Sequence, residues 1–141
     1  MRFWDSSALI CLFVEEPLTK VTKGWMRADS AAALWTLTPV EVVSSLSRLV
    51  REGALDSDGF AKAESRADRQ FRASYTITDI EGAKSVACRL LQVHPLRAAD
   101  ALQLAAALLW AKHRPMRRVF HTFDVRLAEA ARKEGFTVPK S

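Results

Sequence analysis

The chain has 141 residues, 49% of them apolar, enough for one compact domain over residues 1–141 with a real core and too few for two comfortable ones. Its 21 Lys and Arg against 16 Asp and Glu give a formal charge of +5, a surface that favours polyanions such as nucleic acid without being a basic tail. The run Ala8 to Val14 has neither the cationic lead nor the cleavage site of a signal peptide and no run approaches a membrane span, so a cytoplasmic protein without a membrane partner is expected.

Met1 to Trp4 reads as a buried strand, and Asp5-Ser6-Ser7 offers helix-starting side chains before the apolar Ala8 to Val14. Pro17 to Ala28 reads as an amphipathic helix, and Ala32 to Leu37 as a second strand. Thr38-Pro39-Val40-Glu41 has the form of a capping box opening a helix that Gly53 stops. Asp56 starts a helix with Phe60, Ala63, Ala67 and Phe71 inward and Lys62, Arg66, Arg69 and Arg72 outward. Tyr75 to Thr78 is β-prone, and Thr78 to Glu81 is a second capping box whose helix ends near His94-Pro95. The helix around Asp100 comes next. Arg118 to Thr122 is a further strand, Asp124 caps the helix of Leu127 to Lys133, and Phe136 to Val138 is a last strand after Gly135. Cys11 and Cys88 sit among apolar residues without metal-type spacing, as buried reduced thiols do.

Strands alternating with helices predict an α/β protein, a three-layer α/β/α sandwich around a central parallel sheet. In such sheets function gathers beyond the carboxyl ends of the strands, where Asp5, Glu41 and Asp124 stand. Each can be a plain helix cap. Asp100 is different: Leu96 to Leu109 is apolar nearly all round, so this carboxylate stands at the rim of a buried helix. It either pairs with Arg97 on a short polar strip with Gln103 or belongs with the other acids. Carboxylates brought within a few Å repel unless a divalent cation neutralises them, and oxygen-only ligands suit Mg²⁺ or Mn²⁺, which can activate water for displacement at phosphorus.

Trp4-Asp5-Ser6-Ser7-Ala8-Leu9, the Thr-Pro-x-Glu of Thr38 to Glu41, Arg97-Ala98-Ala99-Asp100-Ala101 and Thr122-Phe123-Asp124 follow in this order over the whole chain. The set resembles a PIN-domain ribonuclease, specifically the VapC-type toxin of a bacterial toxin-antitoxin pair. The resemblance implies Asp5, Glu41, Asp100 and Asp124 as catalytic, metal-binding acids and Ser7 and Thr122 as hydroxyls near the metal. It also implies Mg²⁺-dependent endonucleolytic cleavage of RNA, a homodimer, and an antitoxin that occludes the site. Phe123 stands where the family varies.

His121, beside this set, is either a proton shuttle or, pointing opposite to Thr122 on its strand, structural. Arg66, Arg69, Arg117 and Arg118 are candidate RNA contacts or solvated faces. Trp25, Trp35 and Trp110 suit a core or dimer interface, and Leu12, Phe13, Trp25 and Met26 give the early helices apolar surface for a homodimer. Two other functions fit less well. A catalytically silent PIN-like RNA-binding module has no use for four acids, and aspartyl-phosphate chemistry would want an acid where Ser7 stands.

Overall fold

The computed structural model describes residues 1–141. Four short parallel strands form one sheet: β1 (Arg2–Trp4), β2 (Ala32–Trp35), β3 (Tyr75–Ile77) and β4 (Phe120–His121), in the order β3-β2-β1-β4. Phe3 lies opposite Ala33 on one side and Phe120 on the other, while Trp35 lies opposite Ile77. The helices are α1 (Ser6–Phe13), α2 (Thr19–Ala28), α3 (Thr38–Arg51), α4 (Ser57–Ala73), α5 (Ile80–Val93), α6 (Ala98–Trp110) and α7 (Val125–Glu134).

Successive side chains of a strand point to opposite faces, and this alternation divides the core in two. Phe3, Ala33, Trp35, Ile77 and Phe120 pack against α5, α6 and α7. Trp4, Ala32 and Leu34 pack against α1, α3 and α4, with Trp25 and Met26 of α2 joining them. The expected three-layer α/β/α sandwich with a central parallel sheet is the result. Helix α6 is buried from Gln103 to Leu108 without a break, as its Ala and Leu content demands. No helix is long and apolar enough to cross a membrane.

Several local expectations are corrected. Helix α2 begins at Thr19 rather than Pro17, and β2 ends at Trp35. The strand expected over Arg118 to Thr122 shortens to Phe120–His121, and the last strand is reduced to one parallel bridge between Thr137 and Val119. Neither capping box forms. Leu37 is the N-cap of α3 without a side-chain bond, and Asp79, not Thr78, caps α5 by accepting from the Gly82 N–H at 2.8 Å. Cys11 is buried but Cys88 is exposed, because its position on α5 faces away from the sheet. Phe13 is buried, whereas Leu12, Trp25 and Met26 pack on the core and stay partly exposed.

Candidate active site

The chain runs β1, β2, β3 outward from one side of β1 and then returns to place β4 on the other side. Helix α1 therefore leaves toward one face and α7 toward the other, which opens a crevice beyond the carboxyl ends of β1 and β4. Asp5 follows β1 and Thr122-Phe123-Asp124 follows β4, so both stand at that crevice.

Asp5 is buried. Its Oδ2 accepts from Ser7 Oγ at 2.6 Å, Thr122 Oγ1 at 2.8 Å and the Ser7 N–H at 3.3 Å, whereas Oδ1 has only a long 3.4 Å contact from Ser6. Burial pushes its pKa up, against the pull of these donors. Asp124 divides its oxygens similarly: Oδ1 caps α7 by accepting from the Leu127 N–H at 2.7 Å, and Oδ2 is left over. The capping role of these two acids is thus real, and it occupies one oxygen of each. Glu41 is held at both oxygens, accepting from Ser6 Oγ at 2.8 Å and from Gln103 Nε2 at 3.1 Å. Burial raises its pKa, and the charges of Asp5 and Asp100 add to the rise.

Asp100 accepts no hydrogen bond and forms no ion pair with Arg97. Partial burial, then the charges of Asp124 and Asp5, push its pKa up to about 6, with Arg97 only a weak opposing influence. Glu41, Asp100 and Asp124 line one open cleft of about 920 Å³. Arg48, Arg97 and Arg126 line it too, and none of the three makes an ion pair. No three carboxylates, imidazoles or thiols are gathered closely enough to enclose an ion as they stand. What fits a hard divalent cation is the donor chemistry: oxygens only, several of them unpartnered, on carboxylates whose neighbouring charges help to raise the pKa of Glu41 and Asp100.

Sequence reasoning missed the roles of four residues, Ser6, Gln103, Arg48 and Arg126. Ser6 and Gln103 fix Glu41, and Gln103 also donates to Thr38 Oγ1 at 3.0 Å, which is why that threonine is not a cap. Its signal was its position three residues after Asp100, on the same helix face. Arg48 and Arg126 reach the cleft, and Arg48 carried a signal in lying seven residues after Glu41. Conversely, the suggested RNA contacts are not at this crevice. Arg66 donates to the Phe13 carbonyl at 3.0 Å, at the end of α1 remote from Asp5, and Arg69 shares a separate hollow on α4 with it. Arg117 and Arg118 precede β4, so they lie at the opposite end of a parallel sheet from acids that follow the strands, and the Arg118 guanidinium sits over Trp110 at 5.2 Å.

His121 is not at the crevice either. It is fully buried with its ring 4.4 Å from both Trp4 and Trp25, and burial followed by the nearby Arg2 charge lowers its pKa to about 4.

Residues 2–133 match the PIN domain family. The chain belongs to this family. Among solved structures, this PIN domain is similar to a chain in the FitAcB structure from Neisseria gonorrhoeae, at 13% identity over 99% of this chain and 97% of that one, with a TM-score of 0.68. A chain of a toxin-antitoxin complex from Klebsiella pneumoniae is 19% identical over 89% and 88%, with a TM-score of 0.64. PAE2754 from Pyrobaculum aerophilum is also 19% identical, over 97% and 87%, with a TM-score of 0.64. At these identities the likeness is one of fold. No curated protein sequence matches the chain.

Proposed function

We propose that this PIN domain is an endoribonuclease dependent on Mg²⁺ or Mn²⁺ and is the toxin of a toxin-antitoxin pair. The observation that carries the reading is that Glu41, Asp100 and Asp124 share a cleft above Asp5, with three unpaired arginines on its rim. Asp5, Glu41, Asp100 and Asp124 would hold the metal. When bound, such an ion lowers the pKa of water and stabilises the charge that develops in an in-line displacement at phosphorus.

The chain's own residues do the rest. Ser7 and Thr122 favour the ionised form of Asp5 against its burial and fix one oxygen, leaving the other for a ligand. Ser6 and Gln103 orient Glu41 with neutral donors that leave its charge in place. Arg48, Arg97 and Arg126 bind the phosphates on either side of the scissile bond.

The antitoxin is proposed on the likeness in fold to a chain of the Klebsiella pneumoniae complex, and on a site open enough to be occluded. A homodimer is proposed through the exposed apolar residues Leu37, Val40 and Val43 at the start of α3, since Phe13 is buried and Leu12, Trp25 and Met26 are partly covered by the core. A sedimentation experiment that finds only monomer at about 10 μM removes that part.

The deciding experiment is cleavage of structured RNA by highly purified protein. EDTA should abolish it and Mn²⁺ restore it. Full activity in EDTA overturns the mechanism. Failure to bind Mn²⁺ at all favours the silent RNA-binding module.

A further inference from the structure

Beside the acid cleft lies a second hollow of about 360 Å³, lined by Ile10, Leu18, Leu49 and Phe123 together with Glu16 and Arg48. The two spaces are continuous: Ser6, Ser45, Arg48 and Phe123 line both. A polymer whose backbone crosses the acids therefore has an apolar recess within reach of the adjoining unit. Arg48 stands on the shared lip in no ion pair, a free cation where a phosphate next to that unit would pass.

Phe123 is set up to present a fixed ring here. It stacks on Trp25 at 5.2 Å with 26° between planes. Trp25 in turn stacks on His121 at 4.4 Å and 13°, and His121 lies against Trp4 at 4.4 Å, so the series of rings begins in the core and ends at the cleft. The Phe123 N–H donates to Ser7 Oγ at 2.9 Å, which fixes its backbone to the loop of Asp5. Such a ring loses little freedom on stacking, and base-aromatic stacking tolerates any base.

We infer that this recess is a subsite for one unpaired nucleobase of the RNA strand, stacked on Phe123, with Arg48 on the adjoining phosphate; the inference rests on the nuclease reading above. Glu16 is the one charged acceptor in the recess, so bases that present amino groups fit it better than uracil. A paired base cannot enter, so the strand must be single there.

The test uses the whole protein and short single-stranded oligoribonucleotides in which one abasic nucleotide is moved along the strand. Affinity is measured in EDTA and in Ca²⁺, and cleavage of the same strands in Mn²⁺. One abasic position should weaken binding about five- to hundredfold, the range for losing one stacked base. Phe123→Leu should weaken the intact strand similarly and make the protein indifferent to that abasic position, while Phe123→Trp keeps the discrimination. Equal affinity at every abasic position, with cleavage retained, overturns the subsite alone and leaves the recess to a protein partner's apolar side chains. Strands that are neither bound nor cut overturn the nuclease reading and the subsite with it.

Discussion

Thr122 Oγ1 donates to Asp5 Oδ2 at 2.8 Å, joining the loop after β4 to the loop after β1 across the sheet's switch point. Ser7 Oγ meets both residues, at 2.6 Å from Asp5 and 3.1 Å from Thr122, so the three form one closed network. Removing a donor from a buried carboxylate costs about 1 to 3 kcal/mol. Thr122→Val should therefore lower the unfolding free energy in urea by that amount. It should also weaken Mn²⁺ binding, because Asp5 then holds its proton more tightly. A variant as stable as the parent, with the same Mn²⁺ titration, would show that the network does not hold Asp5.

Asp100→Asn separates the structural and metal-binding roles by sign. The carboxyl titrates at about 6 in the folded chain against 3.8 for an unperturbed aspartate. The stability from the tighter proton is complete below pH 3.8 and is lost as the pH rises through about 6. At neutral pH the charged group is thus a liability in the metal-free protein. In EDTA the variant should melt higher by about 1 kcal/mol equivalent, a figure reduced for partial solvent screening. The difference should vanish as the pH falls toward 3.8, while cleavage in Mn²⁺ drops at least about a hundredfold. A destabilised variant that still cuts RNA would remove Asp100 from the site.

His121 gives the opposite slope. Its pKa of about 4 lies below the usual 6.5, so its contribution to stability is present above pH 6.5 and is lost as the pH falls through about 4. The loss amounts to about 3 kcal/mol for a fully buried imidazole. His121→Phe keeps a ring between Trp4 and Trp25 and should flatten the acid limb of the stability curve between these values, which chemical denaturation at several pH values would measure. An unchanged acid limb would mean that other groups drive acid unfolding.

The rim arginines set the salt dependence. Each phosphate of a single strand that an arginine no longer neutralises reduces the slope of log K against log salt by about 0.7. Arg97→Gln and Arg126→Gln together should lower the slope by about 1.4, whereas neutralising Arg66 and Arg69 together should leave it nearly unchanged. Fluorescence anisotropy of labelled RNA across a salt series distinguishes the two pairs, and the reverse result would move the RNA path to α4.

The order of strands and helices, the burial of α6 and the acids at the strand ends were legible in the sequence. They follow from short-range physics. Apolar period reports which face an element buries, and an acid just before a helix satisfies N–H groups within three residues, as Asp5, Asp56 and Asp124 do. Only the tertiary structure decided what shares a space. The same four residues, Thr38 to Glu41, would close a capping box in isolation, but Gln103, 65 residues from Thr38, takes the Thr38 hydroxyl and one Glu41 oxygen instead. Nothing local to Arg126 marks it as a rim residue, and nothing local to Arg66 or Arg117 marks them as remote. That difference comes from the order β3-β2-β1-β4 and the crossover of the last strand, which determine which loops meet at one end of the sheet. Side-chain pattern is degenerate with respect to strand order, because each strand buries both faces whichever neighbour it pairs with.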